Sequence, residues 1–86
     1  MNECPHVDAL PHPEPAPLSD TCLECRAAGT HPVQLRLCLE CGHVGCCDSS
    51  PLQHATQHFG ESGHAVMRTF EPGESWRWCF VDSLLV

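Results

Sequence analysis

Two short cysteine pairs, Cys22-x2-Cys25 and Cys38-x2-Cys41, constrain this chain more than any other feature. Zn²⁺ takes four nitrogen or sulfur ligands in a tetrahedron, and a two-residue gap lets one tight turn deliver two thiolates. One such pair also suits a redox dithiol. Two pairs with histidines downstream point to zinc. A chain of 86 residues has room for one small core, and cores of that size are often held together by metals or disulfides. Eight cysteines and seven histidines meet that need, while three Phe, two Trp and no Tyr offer little to pack.

The opening run "MNECPHVDAL" has no charged segment followed by an apolar one, so no signal peptide is expected. No apolar run reaches the length of a transmembrane helix. The expected setting is cytoplasmic and reducing, where paired cysteines favour metal over disulfide. The formal charge is −7, and the four basic residues are all arginine: Arg26, Arg36, Arg68 and Arg77. Nucleic-acid binding usually needs a basic face to neutralise phosphates, and an anionic membrane is disfavoured for the same reason. The electrostatically sensible partner is a protein or peptide segment carrying Arg or Lys.

Five of the eight prolines lie within the first seventeen residues, so "PHPEPAPLSD" is expected to be an extended, stiff connection within residues 7–21. "VQLRLCL" alternates, with Val33, Leu35, Leu37 and Leu39 on one face, and predicts a half-buried strand. Ser50-Pro51-Leu52-Gln53 predicts a helix start, with Ser50 as cap and Gln53 at capping-box spacing. The helix is expected to end near Phe59, with Gly60 as its stop. "HAVMRTF" and "SWRWCFV" predict two strands joined by the Pro-Gly turn of "EPGE". On the second strand, Trp76, Trp78 and Phe80 share one face and Arg77, Cys79 and Val81 the other.

Downstream of the cysteine pairs come Cys46, His54, His58 and His64. With the four paired cysteines they make eight candidate ligands, enough for two zincs. Spacing does not decide their division, because His54 and His58 at i and i+4 could serve one ion. Cys4-x-His6 is another two-ligand clip, Cys79 arrives on the last predicted strand, and Asp82 stands at the x2 position, where carboxylate is an acceptable zinc ligand. These four predict a third site tying the leader to the C-terminal strand. Cys47 is left spare, and His12, His31 and His43 read as loop residues. Sites closed by four protein ligands leave no position for chemistry, so no enzyme is expected.

The order Cys-x-His, Cys-x2-Cys, Cys-x2-Cys-x4-Cys, His-x3-His-x5-His and Trp-Cys resembles the ubiquitin-specific-protease-type zinc finger, also called ZnF-UBP or BUZ. "HFGESGH" at 58–64 carries the resemblance most closely, which extends from Cys4 to Asp82. RING domains need a Cys-x-His-x2-Cys core that this chain lacks. The resemblance implies an α+β fold for residues 1–86 as a single small zinc-rich domain, a twisted antiparallel sheet packed with one or two short helices. It implies a division of ligands: Cys22, Cys25, Cys46 and His54 on one zinc, and Cys38, Cys41, His58 and His64 on a second. Cys4, His6 and Cys79 belong to a third, where the family's usual cysteine is replaced by Asp82. Three zincs are expected, two at minimum. A short, acidic, histidine-rich stand-alone chain of this kind resembles bacterial forms more than eukaryotic ones.

Ubiquitin-binding members hold ubiquitin's free Gly-Gly tail with an arginine and with aromatic rings near the Trp-Cys. Trp78 and Phe80 match the later aromatic positions. Where the family has Cys-Gly-Arg, this chain has Cys46-Cys47-Asp48, and Asp48 would repel a tail carboxylate. Arg36 stands where an earlier aromatic is expected. The function implied is therefore a non-enzymatic, zinc-stabilised module for an extended peptide or protein tail, with Trp78, Phe80, Arg36 and Asp48 at its pocket. A basic peptide whose arginine pairs with Asp48 suits that pocket better than ubiquitin. The alternatives are redox or zinc sensing through Cys47, and a zinc hydrolase with an open site at Cys4, His6 and Cys79.

Overall fold

The computed structural model describes residues 5–8, 10–11, 13–31 and 33–86, with Asp8 described for its backbone alone. Within them the elements run α1 (Pro5–Asp8), α2 (Leu23–Ala28), β1 (Leu35–Cys38), β2 (Val44–Cys46), α3 (His54–Ser62), β3 (Val66–Thr69), β4 (Arg77–Cys79) and β5 (Leu84–Leu85). The strands form one sheet in the order β2-β1-β3-β4-β5, with every pairing antiparallel. The result is an α+β architecture in which a five-stranded sheet carries a few short helices.

Register assigns the two faces, because paired residues share a face and neighbours in sequence alternate. Arg36 pairs with Gly45 and Thr69, Cys38 with Met67, Met67 with Trp78, and Trp78 with Leu85. These residues form one face, and α3 lies over its β2 end. Gly45 permits that approach, since a Cβ there would stand 2.7 Å from the Ala55 backbone nitrogen. The other face gives Leu37, Val44, Val66 and Cys79 to the main core, where they pack with Leu10, Leu39 and Ala65.

The proline-rich leader has no helix or strand over its described residues from Leu10 to Thr21. Its described residues are fastened to the rest of the fold. Leu10 is buried in the core, Leu18 N–H donates to Gly42 O at 2.9 Å, and Glu14 pairs with Arg68 at 3.3 Å. Gly42 is needed here, with φ of 85° and the Ala16 carbonyl oxygen in the space a Cβ would fill.

Several local expectations are corrected. The strand predicted over Val33–Leu39 starts only at Leu35, Val33 is exposed, and Arg36 and Cys38 are buried along with Leu37. Both faces of β1 are therefore covered, because α3 and Trp76 lie over the side predicted to face solvent. Ser50 does not cap α3; its hydroxyl accepts from Val33 N–H at 2.8 Å. The helix starts at His54 behind Gln53, whose φ is 49° and whose side chain makes no capping bond. The helix also passes through Gly60 and stops at Gly63, a left-handed C-cap with φ of 76°. The Pro-Gly turn forms, with Glu74 N–H donating to Glu71 O at 3.2 Å. The two predicted strands contract to the short β3 and β4.

Candidate functional site

Among the described residues, three groups of ligand-type side chains converge. Cys22, Cys25, Cys46 and His54 form the first, all buried; Cys38, Cys41, His58 and His64 form the second; His6, Cys79 and Asp82 form the third. In each group the candidate ligand atoms all lie within 4.8 Å of one another. Cys4, the remaining candidate, lies outside the described residues.

The first group is built by α2, β2 and the start of α3. Cys22 precedes α2 as its N-cap, and its sulfur accepts from Cys25 N–H at 3.4 Å. Cys46 ends β2 and accepts from His54 N–H at 3.0 Å, so the helix start is pinned to the sulfur and not to Ser50. His54 Nδ1 stands 3.3 Å from Cys22 Sγ, 3.3 Å from Cys25 Sγ and 3.4 Å from Cys46 Sγ. One ring nitrogen has a single hydrogen or a single lone pair, so it cannot bond to three sulfurs. Zn–S bonds of about 2.3 Å and Zn–N bonds of about 2.0–2.1 Å, set tetrahedrally, give S···N edges of about 3.5 Å. The three-way convergence has the dimensions of a zinc coordination shell, and the residues fit the ion.

In the second group Cys38 Sγ lies 3.5 Å from His64 Nδ1 and Cys41 Sγ lies 3.4 Å from His58 Nε2. His54 and His58, one helical turn apart, thus reach different groups. Burial pushes the Cys38 thiol up to about 11. Burial, joined by the neighbouring His43 and His64, holds His58 below its ordinary value. Both shifts have burial of the charged form as their largest cause. His43, read from sequence as a loop residue, does sit in the β1–β2 loop. Its ring is stacked on His58 at 4.0 Å between centroids, and its Nε2 meets Glu24 Oε1 at 2.5 Å. Residues that hold a ligand from outside in this way carry no spacing signal in a sequence.

In the third group Cys79 Sγ is 3.5 Å from His6 Nδ1 and 3.5 Å from Asp82 Oδ2, and His6 Nδ1 is 3.2 Å from Asp82 Oδ2. Only Cys79 is buried; the His6 and Asp82 side chains are 36% and 32% exposed. This is the weaker site.

Beside α3, on the sheet face that carries Trp76, Trp78 and Phe80, lies a cavity of about 620 Å³. Arg36, Cys47, Asp48, Thr56, Met67 and Leu85 complete most of its lining. All four residues expected at a pocket are therefore in one place; Thr56, Met67 and Leu85 are additions that only the fold reveals. Arg36 lies over the Trp76 ring, 4.5 Å from its centroid. Phe80 is stacked on Phe59 of α3 at 4.9 Å. Cys47 is 7% exposed and lies 3.7 Å from the Ser50 hydroxyl. Burial raises its thiol, but Ser50, nearby backbone groups and Arg36 outweigh that and leave it below its ordinary value.

A short sheet and helices arranged around closely gathered Cys/His sets define a zinc-finger module. The family model described as "Zn-finger in ubiquitin-hydrolases and other protein" matches residues 22–86, and the chain belongs to this zf-UBP family. The family is one of zinc-binding modules, generally not catalytic themselves. The solution NMR structure of Protein RPA1320 from Rhodopseudomonas palustris is similar over 99% of this chain and 81% of that one, with 42% identity and a TM-score of 0.87. No curated protein matches the chain. Among the described residues no helix is long and apolar enough to cross a membrane.

Proposed function

We propose that this chain is a non-enzymatic protein-binding module, held in shape by zinc, whose pocket takes an extended peptide or the C-terminal tail of a partner protein. The observation that carries the reading is the cavity itself. Its lining holds Trp76, Trp78 and Phe80 beside residues of α3, with the exposed Asp48 at its edge. Aromatic side chains exposed in a concave site supply large contact area at small entropic cost. The Gly-Gly tail of ubiquitin is a poor match, since Asp48 faces the space a tail carboxylate would enter.

In this reading Cys22, Cys25, Cys46 and His54 hold one zinc, Cys38, Cys41, His58 and His64 a second, and His6, Cys79 and Asp82 a third with Cys4 as the fourth ligand. The ions supply fixed anchor points for segments too short to fold by burial alone. They have no part in chemistry. The expected setting is the reducing cytoplasm, where thiolates remain available to metal.

Selection of linear peptides on the zinc-loaded chain tests the proposal. Enriched sequences should bind the parent and lose binding to Trp78→Ala and Leu85→Glu variants of unchanged zinc content. Enrichment that survives both substitutions would put the binding surface elsewhere and sink the reading.

A further inference from the structure

Resting on the pocket reading above, the geometry points to the side chain that the pocket selects: we propose that it takes a basic residue of the partner segment, arginine foremost, laid against the aromatic lining and paired with Asp48. Of the two charged residues in the lining, Arg36 has its charge engaged by the fold, while the Asp48 carboxylate is held by a neutral hydroxyl.

Arg36 is the cation in the lining, and its charge is used by the fold. It is 8% exposed. Its Nη1 donates to Leu35 O at 3.0 Å and its Nη2 to Gln34 Oε1 at 3.0 Å, with the guanidinium laid on Trp76. Nη1 also stands 3.5 Å from the Thr69 hydroxyl, which donates in turn to Glu74 Oε1 at 2.6 Å. A counter-charge is therefore one hydroxyl away. An incoming carboxylate would have to pull the guanidinium off its stack to pair with it, giving up contacts made in the free protein.

Asp48 is in the opposite condition. It is exposed, and its Oδ1 accepts a hydrogen bond from the Thr56 hydroxyl. A carboxylate accepts about four hydrogen bonds, and among the described residues Asp48 is in no ion pair. Thr56 orients the group without neutralising it. A guanidinium offers a planar donor fork for such a carboxylate and a flat cation for indole and phenyl faces. The net charge of −7 adds long-range attraction of the same sign.

NMR titration of the zinc-loaded chain separates the possibilities. The probes are three heptapeptides of glycine and serine: one with a central arginine, one with citrulline in its place, both blocked at each end, and one with no basic residue and a free Gly-Gly carboxylate. The arginine peptide should move the Trp76 and Trp78 indole signals and bind about tenfold tighter than citrulline, with the advantage shrinking in high salt. Asp48→Asn should erase that advantage, while Asp20→Asn, outside the lining, keeps it. Equal binding of arginine and citrulline, strongest binding by the free carboxylate, or a preference that persists in Asp48→Asn would each overturn the charge assignment and leave the peptide pocket standing. If no peptide moves the indole signals at millimolar concentration, the pocket reading fails as well.

Discussion

The Thr56 hydroxyl donates to the Asp48 carboxylate, and each residue stands two positions beyond a member of the same Cys/His group, Asp48 after Cys46 and Thr56 after His54. The edge of the pocket is therefore set by the first metal group: a shift of β2 against α3 separates the pair. Thr56→Val keeps the volume and removes the donor. It should leave zinc content unchanged and weaken binding of an arginine peptide a few-fold, in line with about 1 kcal/mol for a hydrogen bond. His54→Ala should lose a zinc and the pocket together, read as collapsed dispersion of the Trp76 and Trp78 signals.

The three groups should release zinc in order of burial. A chelator titration followed with a colorimetric indicator should show one fast equivalent and then a slow pair. The fast one belongs to His6, Cys79 and Asp82, where water reaches two of the three side chains. Asp82→Cys should slow that phase, since thiolate binds zinc more tightly than carboxylate in such a site. A fast equivalent unaffected by substitution at Asp82 would argue against the order.

Loading with zinc should release protons, and more so as pH falls. The Cys38 thiol, raised to about 11 by burial, holds its proton at neutral pH and must give it up to bind metal. His58, lowered by burial and by His43 and His64, holds a proton less readily than an ordinary histidine and so opposes metal less. The sign follows: zinc affinity rises with pH across the neutral range. Calorimetric titration in two buffers of different ionisation enthalpy measures the protons released per zinc; none released would contradict the thiol assignment.

Three glycines on or beside α3 make a graded test. Gly60 has nothing within 4 Å of where a Cβ would stand and lies inside the helix, so Gly60→Ala should stabilise by about 0.5–1 kcal/mol. Gly63→Ala, at φ of 76°, should destabilise by about 1 kcal/mol. Gly45→Ala drives a methyl into the Ala55 backbone and should cost about 1–3 kcal/mol. Thermal melts of the zinc-loaded variants give the order; a stabilising Gly63→Ala would return the helix end to Gly60.

The reach of sequence reading differed with the kind of interaction. Cysteine pairs are legible because their function is local, two thiolates on one turn. The described residues that the family resemblance groups, Cys4 lying outside them, stand together in the fold, yet His54 and His58 cannot be assigned by periodicity. Their separation depends on His54 Nδ1 turning to Cys22, Cys25 and Cys46 while His58 Nε2 turns to Cys41, which is a matter of where β2 and the β1 end lie. The face shared by Trp76, Trp78 and Phe80 was legible from strand alternation. The wall opposite is not, because Thr56 enters it only through the packing of α3 against the sheet, which no local spacing encodes. Ser50, Pro51 and Gln53 have the local chemistry of a helix start, but Ser50 bonds to Val33 and the Cys46 sulfur takes the first helical N–H. β2 and β5, of three and two residues, are too short to carry a period.

The most direct test of metal as the organiser of this fold is native mass spectrometry of the folded chain purified without chelator. A dominant species carrying three zincs is expected. Two would strike His6, Cys79 and Asp82 from the set of ligands, and a folded chain with one zinc or none would contradict the claim that metal holds this module together.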